Sequence, residues 1–131
     1  MRRIEIGDFL LIAELHCGIT AERLARIPRV IRLAEAALAA PFAGFGDYQA
    51  FPSAHEKAAV YCSRIVTYHP LADGNKQAAY DVMREFLDRN GVPFRHSADG
   101  LDGTAQAIED LAGNVLSEQD FIAWMLARTS R

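Results

Sequence analysis

An all-α bundle of six to seven helices is the fold the sequence predicts, and three observations predict it. Apolar residues recur at three- and four-residue spacing along nearly the whole chain. Glycines and prolines cluster between these stripes. No segment alternates apolar and polar residues for long enough to make a convincing strand. The 131 residues are expected to form a single domain over 1–131, large enough to bury a core without disulfides.

The elements follow in chain order. A first helix is expected over 8–17, with Phe9, Ile12, Ala13 and His16 on one stripe and Gly18 as its stop. Thr20 suits the N-cap of a short helix through Arg26, which Pro28 ends. Val30, Leu33, Ala34, Ala37 and Leu38 mark a helix over 29–40. Residues 41–53 carry two prolines, two glycines and four aromatics, so they form a loop or a short hairpin turning near Gly46-Asp47. Two readings of its aromatics stand: a binding flap, or a loop that caps the core.

Ser53 and Glu56 form a Ser-x-x-Glu capping box that starts a helix running to Tyr68, with Ala58, Cys62, Ile65 and then His69 on its inward stripe. The next helix runs from about Asn75 to Asn90, on a stripe of Ala78, Ala79, Val82, Met83, Phe86 and Leu87. Ile108, Leu111, Ala112 and Val115 mark a helix over 104–115, and a last one follows Ser117 with Phe121, Ile122, Trp124, Met125 and Leu126.

Composition narrows the function classes. The net charge is −3, which argues against direct nucleic-acid binding through a basic surface. Cys17 and Cys62 read as buried free thiols in a reducing compartment. Glu5, Asp8 and Glu14 interrupt the apolar N-terminal stretch, so it reads as neither signal peptide nor membrane span, and a cytoplasmic protein without membrane contact is expected. His16, His55 and His96 are scattered without metal-ligand spacing, which makes a metal hydrolase a weak reading. His16 is expected in the core or at its rim, and His55 and His96 at the surface.

The chemistry concentrates between Tyr68 and Val82, YHPLADGNKQAAYDV. Pro70 cannot extend the helical ladder and pushes His69 away from helical geometry. Leu71 is an apolar anchor for the loop, Asp73-Gly74 suits a tight turn, and Asn75 suits an N-cap. The second helix then presents free N–H groups and the positive end of its dipole, with Gly74 leaving them accessible. Lys76 opposes that dipole by about 0.3–1 kcal/mol, which makes sense if an anion sits there. Asp73 beside it suits magnesium held partly by phosphate oxygens. The spacing is not that of a P-loop, which needs Gly-Lys adjacent, then Ser or Thr. An ordinary Asp-Gly-Asn turn between two helices is the competing reading.

Residues 69–77, His-Pro-Leu-Ala-Asp-Gly-Asn-Lys-Gln, resemble the signature of the Fic/Doc family, His-Pro-Phe-x-(Asp/Glu/Asn)-(Gly/Ala)-Asn-(Gly/Lys)-Arg. Lysine at position 76 is similar to the death-on-curing branch, and residues 33–91 read like that branch throughout. The resemblance implies an all-α Fic fold, with the motif between two central helices and a flap at about 42–51 that aligns a target segment. It implies a toxin held by a helical antitoxin segment in a groove, transferring a phosphoryl group from ATP with Mg2+ to a hydroxyl of elongation factor Tu. Adenylylation, the chemistry of the other branch, is the alternative.

By position, the resemblance makes His69 the general base, a task suited to an imidazole. It assigns magnesium to Asp73, phosphate contacts to Gly74 and Asn75, and both phosphate and catalysis to Lys76. Position 77, which also belongs to the phosphate site, departs from the family: Gln77 stands where an arginine is usual, and brings no charge and no bidentate fork. Such a loss costs about 1.5–3 kcal/mol of phosphate contact, so a catalytically dead binding module of the same fold is a further alternative. Leu71 for the usual phenylalanine is a conservative change.

Overall fold

The structure, a computed structural model, describes residues 1–95 and 103–129. Among them are seven α-helices: α1 (Ile6–Cys17), α2 (Ala21–Leu24), α3 (Pro28–Ala39), α4 (Ala54–Tyr68), α5 (Asn75–Arg89), α6 (Gly103–Ala112) and α7 (Glu118–Thr129). The all-α expectation holds. Of the two forms expected for residues 41–53, loop or short hairpin, the structure has the hairpin: two-residue strands β1 (Gly44–Phe45) and β2 (Tyr48–Gln49), in register Gly44 with Gln49 and Phe45 with Tyr48. Its turn is at Gly46-Asp47, as expected. A 3-10 turn over Ala40–Phe42 leads into it.

α4 is the central helix. Every residue from Lys57 to Ser63 is buried, so this stretch of the helix is covered on all sides. It packs on α5, α7, α3 and α6, and α5 packs in turn on α1. Tyr61, Phe86 and Phe42 meet edge-on or tilted in the core beneath the hairpin. No helix among the described residues is long and apolar enough to cross a membrane.

Several expectations are corrected in detail. α1 starts at Ile6 because Asp8 reaches back to accept the Glu5 N–H at 2.9 Å. Pro28 begins α3, where its missing N–H costs nothing; the preceding helix has already ended at Leu24. α6 stops at Ala112: Asn114 is left-handed, and Val115 is turned out to 79% exposure instead of joining the core. Cys62 is fully buried, and burial pushes its thiol pKa up, but Cys17 is only half-buried. His55 is half-buried too, its Nδ1 2.9 Å from the Ser53 hydroxyl. His96 lies outside the described residues.

Candidate functional site

The site is the loop between α4 and α5. α4 ends at Tyr68 and is capped by His69, whose backbone N–H still donates to the Ile65 carbonyl at 3.1 Å while its own φ of 54° and ψ of 58° are left-handed. Such geometry costs a non-glycine residue about 1–2 kcal/mol. It turns the residue off the helix stripe, so His69 is exposed and not inward-facing. Arg29 of α3 donates to the His69 carbonyl at 3.4 Å.

Leu71 and Asn75 hold the loop's shape. Leu71 is 1% exposed, as expected of an anchor. Asn75 is not the N-cap: it is the first residue of α5, and its buried side chain clasps the backbone of Leu71. Its Oδ1 accepts the Leu71 N–H at 3.0 Å, and its Nδ2 donates to the Leu71 carbonyl at 2.8 Å. Asn75→Ala leaves both backbone groups buried without a partner, at about 1–3 kcal/mol each. Urea denaturation is therefore expected to show a loss of about 2 kcal/mol or more, and a loss below about 0.5 kcal/mol would contradict the clasp.

Gly74 is the N-cap of α5, with φ 86° and no side chain to cap the helix. Asp73 Oδ1 accepts the Gly74 N–H at 2.9 Å. The glycine is required by packing as much as by conformation. A Cβ at this position would lie 2.8 Å from the His16 carbonyl oxygen and 3.0 Å from His16 Cβ, so the C-terminal turn of α1 presses directly on the loop. Gly74→Ala combines a left-handed cost of about 1–2 kcal/mol with overpacking worth about 1–3 kcal/mol. A clear fall in the denaturation midpoint is the expected outcome, and an unchanged midpoint would show that α1 does not seat there.

On α5 the expected cation and its neighbour are both exposed. Lys76 Nζ pairs with Glu109 Oε1 of α6 at 2.8 Å, the two side chains 45% and 57% exposed. A surface pair of this kind is worth about 0–1 kcal/mol, so Lys76 can leave it for an anion at little cost. Gln77 occupies the third helical position and is exposed. The two arginines nearest in sequence to the motif, Arg64 and Arg84, do not replace its missing charge, because both are engaged elsewhere. Arg64 makes two contacts to Glu118, at 2.8 and 3.1 Å, and donates to the Tyr68 hydroxyl, which keeps its pKa above the usual guanidinium value. Arg84 donates to the Tyr80 hydroxyl at 2.6 Å and lies over the Phe94 ring.

Sequence reasoning missed three contacts, two of them around the loop and one at the other end of α4. His16 Nε2 lies 2.6 Å from Asp81 Oδ2, joining α1 to α5 one turn beyond Gln77. Glu109 is the second. The third is Lys57, a lysine 2% exposed beneath the hairpin. All three are contacts between residues far apart in the chain or against the usual placement of their type, and no local pattern announces them.

The arrangement brings an exposed imidazole, an exposed carboxylate, an uncapped helix N-terminus and a lightly held ammonium to one rim. Comparison with known proteins gives this rim its context. The chain is 34% identical over 98 residues to the curated protein Toxin Doc of Mycolicibacterium smegmatis, and the match covers 72% of each chain. The chain belongs to the Doc toxin family. No family model matches it, and no solved structure matches it.

For a Doc toxin the donor set at the rim bears on magnesium. Among the described residues no group of three His, Cys, Asp or Glu side chains converges on a point. One exposed carboxylate, Asp73, beside a helix N-terminus does fit an ion held mainly by phosphate oxygens and water.

Proposed function

We propose that this Doc-family chain is the toxin of a toxin–antitoxin pair and transfers the γ-phosphoryl group of magnesium-ATP to a hydroxyl of a protein target, elongation factor Tu by family resemblance. The observation that carries this reading is the placement of His69, turned outward by its left-handed backbone, one clasped loop away from the open N-terminus of α5. The N–H groups of the first turn and the helix dipole hold phosphate oxygens, with Gly74 and Asn75 contributing backbone only. Lys76 leaves Glu109 to neutralise further phosphate charge. Gln77 donates one neutral hydrogen bond. Asp73 would hold magnesium, whose positive charge would offset that of the phosphates. His69 takes the proton of the target hydroxyl as that oxygen displaces ADP from the γ-phosphorus. The antitoxin is read as a helical segment laid in a groove of the bundle.

Induced expression in bacteria tests the reading. Growth arrest that is absent with His69→Ala supports it, and equal arrest with both proteins would defeat it. Gln77 favours a second reading, a Fic-fold module that binds partners without chemistry. Melting with and without magnesium-ATP separates the two: ligand-linked stabilisation supports the transferase, and a flat response supports the module.

A further inference from the structure

We propose that the exposed arginines of α2 and the start of α3 form the docking surface for the protein that this site modifies, and that they receive an acidic segment next to its hydroxyl; the identity of that partner rests on the transferase reading above. The C-terminal ends of α1 and α4 and the N-terminal ends of α3 and α5 meet at one end of the bundle. α1 sets its last turn against Gly74, where a Cβ would lie 2.8 Å from the His16 carbonyl oxygen. α2 begins four residues after α1 ends. α3 starts at the same end: Arg29 Nη1, in its first turn, lies 3.4 Å from the His69 carbonyl oxygen. That contact joins the surface to the site.

The charge on this surface is uncompensated. Residues 20–33 hold four arginines, Arg23, Arg26, Arg29 and Arg32, against one carboxylate, Glu22, in a chain whose net charge is −3. All four are exposed. Arg26 pairs with Glu22 at 2.9 Å, in a contact so open to solvent that it holds neither side chain firmly. The guanidinium groups of Arg23 and Arg32 have no partner among the described residues, and Glu35, three residues after Arg32, is not paired with it. Elsewhere the pattern is the opposite: Arg64 is held by Glu118, and Arg89 by Asp8 and Glu85. Arg29 also opposes the dipole of α3, whose first turn has no acidic residue. Local stability therefore does not account for the row. Carboxylates of a partner do, because a guanidinium matches a carboxylate with two parallel hydrogen bonds. A nucleic acid fits less well, since the rest of the chain is strongly acidic and would repel an extended polyanion. The target hydroxyl has to reach His69, so its chain crosses the surface that touches His69.

The test uses the full chain and a pair of labelled synthetic peptides. One carries a serine between short runs of glutamate, and the other has glutamine at each of those positions. Fluorescence anisotropy is expected to show the acidic peptide binding at least about tenfold more tightly at low salt, with the preference shrinking as salt is added. The double variant Arg23→Gln, Arg32→Gln should lose most of that preference. Both side chains are exposed and unpartnered, so the circular dichroism should not change. Arg2→Gln is the control for general charge: Arg2 is exposed and lies against Asn90, at the far end of α5 and about 22 Å along the helix from Asn75. It should alter binding by less than about twofold. Equal binding of the two peptides, or a comparable loss with Arg2→Gln, would overturn the proposal. Single-stranded RNA that displaces the acidic peptide, and itself needs Arg23 and Arg32, would overturn it in favour of a nucleic-acid surface.

In the transfer assay with elongation factor Tu, the double variant should raise KM for the protein by about tenfold at unchanged kcat, with stabilisation by magnesium-ATP retained. An unchanged KM, or a fall in kcat alone, would refute the docking role in the reaction. Transfer absent from the unmodified chain, with the peptides behaving as expected, would count against the transferase reading and leave the acidic-segment surface standing.

Discussion

Replacing Gln77 with arginine is expected to raise the rate of phosphoryl transfer by at least about tenfold, and by up to about 10³-fold if the guanidinium meets charge that develops only in the transition state. Position 77 is exposed, in the first turn of α5, two residues after the clasp of Asn75. A guanidinium there adds a charged, forked donor where glutamine offers a single neutral one. Asp81, four residues on, is the acceptor best placed to draw the new side chain away, but His16 already holds it at 2.6 Å. The same substitution should cost about 0.3–1 kcal/mol of stability, because a cation near a helix N-terminus opposes the dipole. A faster, slightly less stable protein is the expected signature, read by transfer kinetics and thermal melting together. An equally slow Gln77→Arg protein would show that position 77 is not what limits this chain.

His69→Ala is expected to lower transfer by about 10²- to 10⁴-fold, the usual contribution of a positioned general base. Stability should move by no more than about 0.5 kcal/mol, since the side chain is exposed and alanine meets the same left-handed backbone. That contrast separates chemistry from folding: a purely structural histidine would show the reverse. The measurement is kcat with saturating magnesium-ATP beside an equilibrium unfolding curve. Transfer that survives the substitution would remove His69 from the catalytic role.

The helices were readable because their stripes are long and their ends carry recognisable residues: the Ser53–Glu56 box, Gly18, and the Asn90-Gly91 stop. Errors fall where one residue serves two local rules. Pro28 obeys the rule for ending a helix and the rule for starting one, and the structure uses the second. Asn75 is a good N-cap type, yet its side chain closes the loop onto Leu71, leaving Gly74 as the cap. His69 sits at helical spacing from Ile65, but it is the C-cap of α4, with a left-handed backbone and an exposed side chain. Gly74 was expected to keep the N–H groups open; the structure adds a second reason, the carbonyl of His16. Lys57 was invisible because lysine is normally a surface residue, and only the folded hairpin segment supplies its acceptors.

The central claim is that the loop from His69 to Gln77 performs ATP-dependent phosphoryl transfer to a protein hydroxyl. The most direct measurement is the intact mass of purified elongation factor Tu after incubation with the chain and magnesium-ATP, with His69→Ala in parallel. The account predicts a phosphoryl-sized increase that disappears with His69→Ala. An adenylyl-sized increase would assign the chain the other chemistry of the fold, and a phosphoryl increase that persists with His69→Ala would contradict the mechanism.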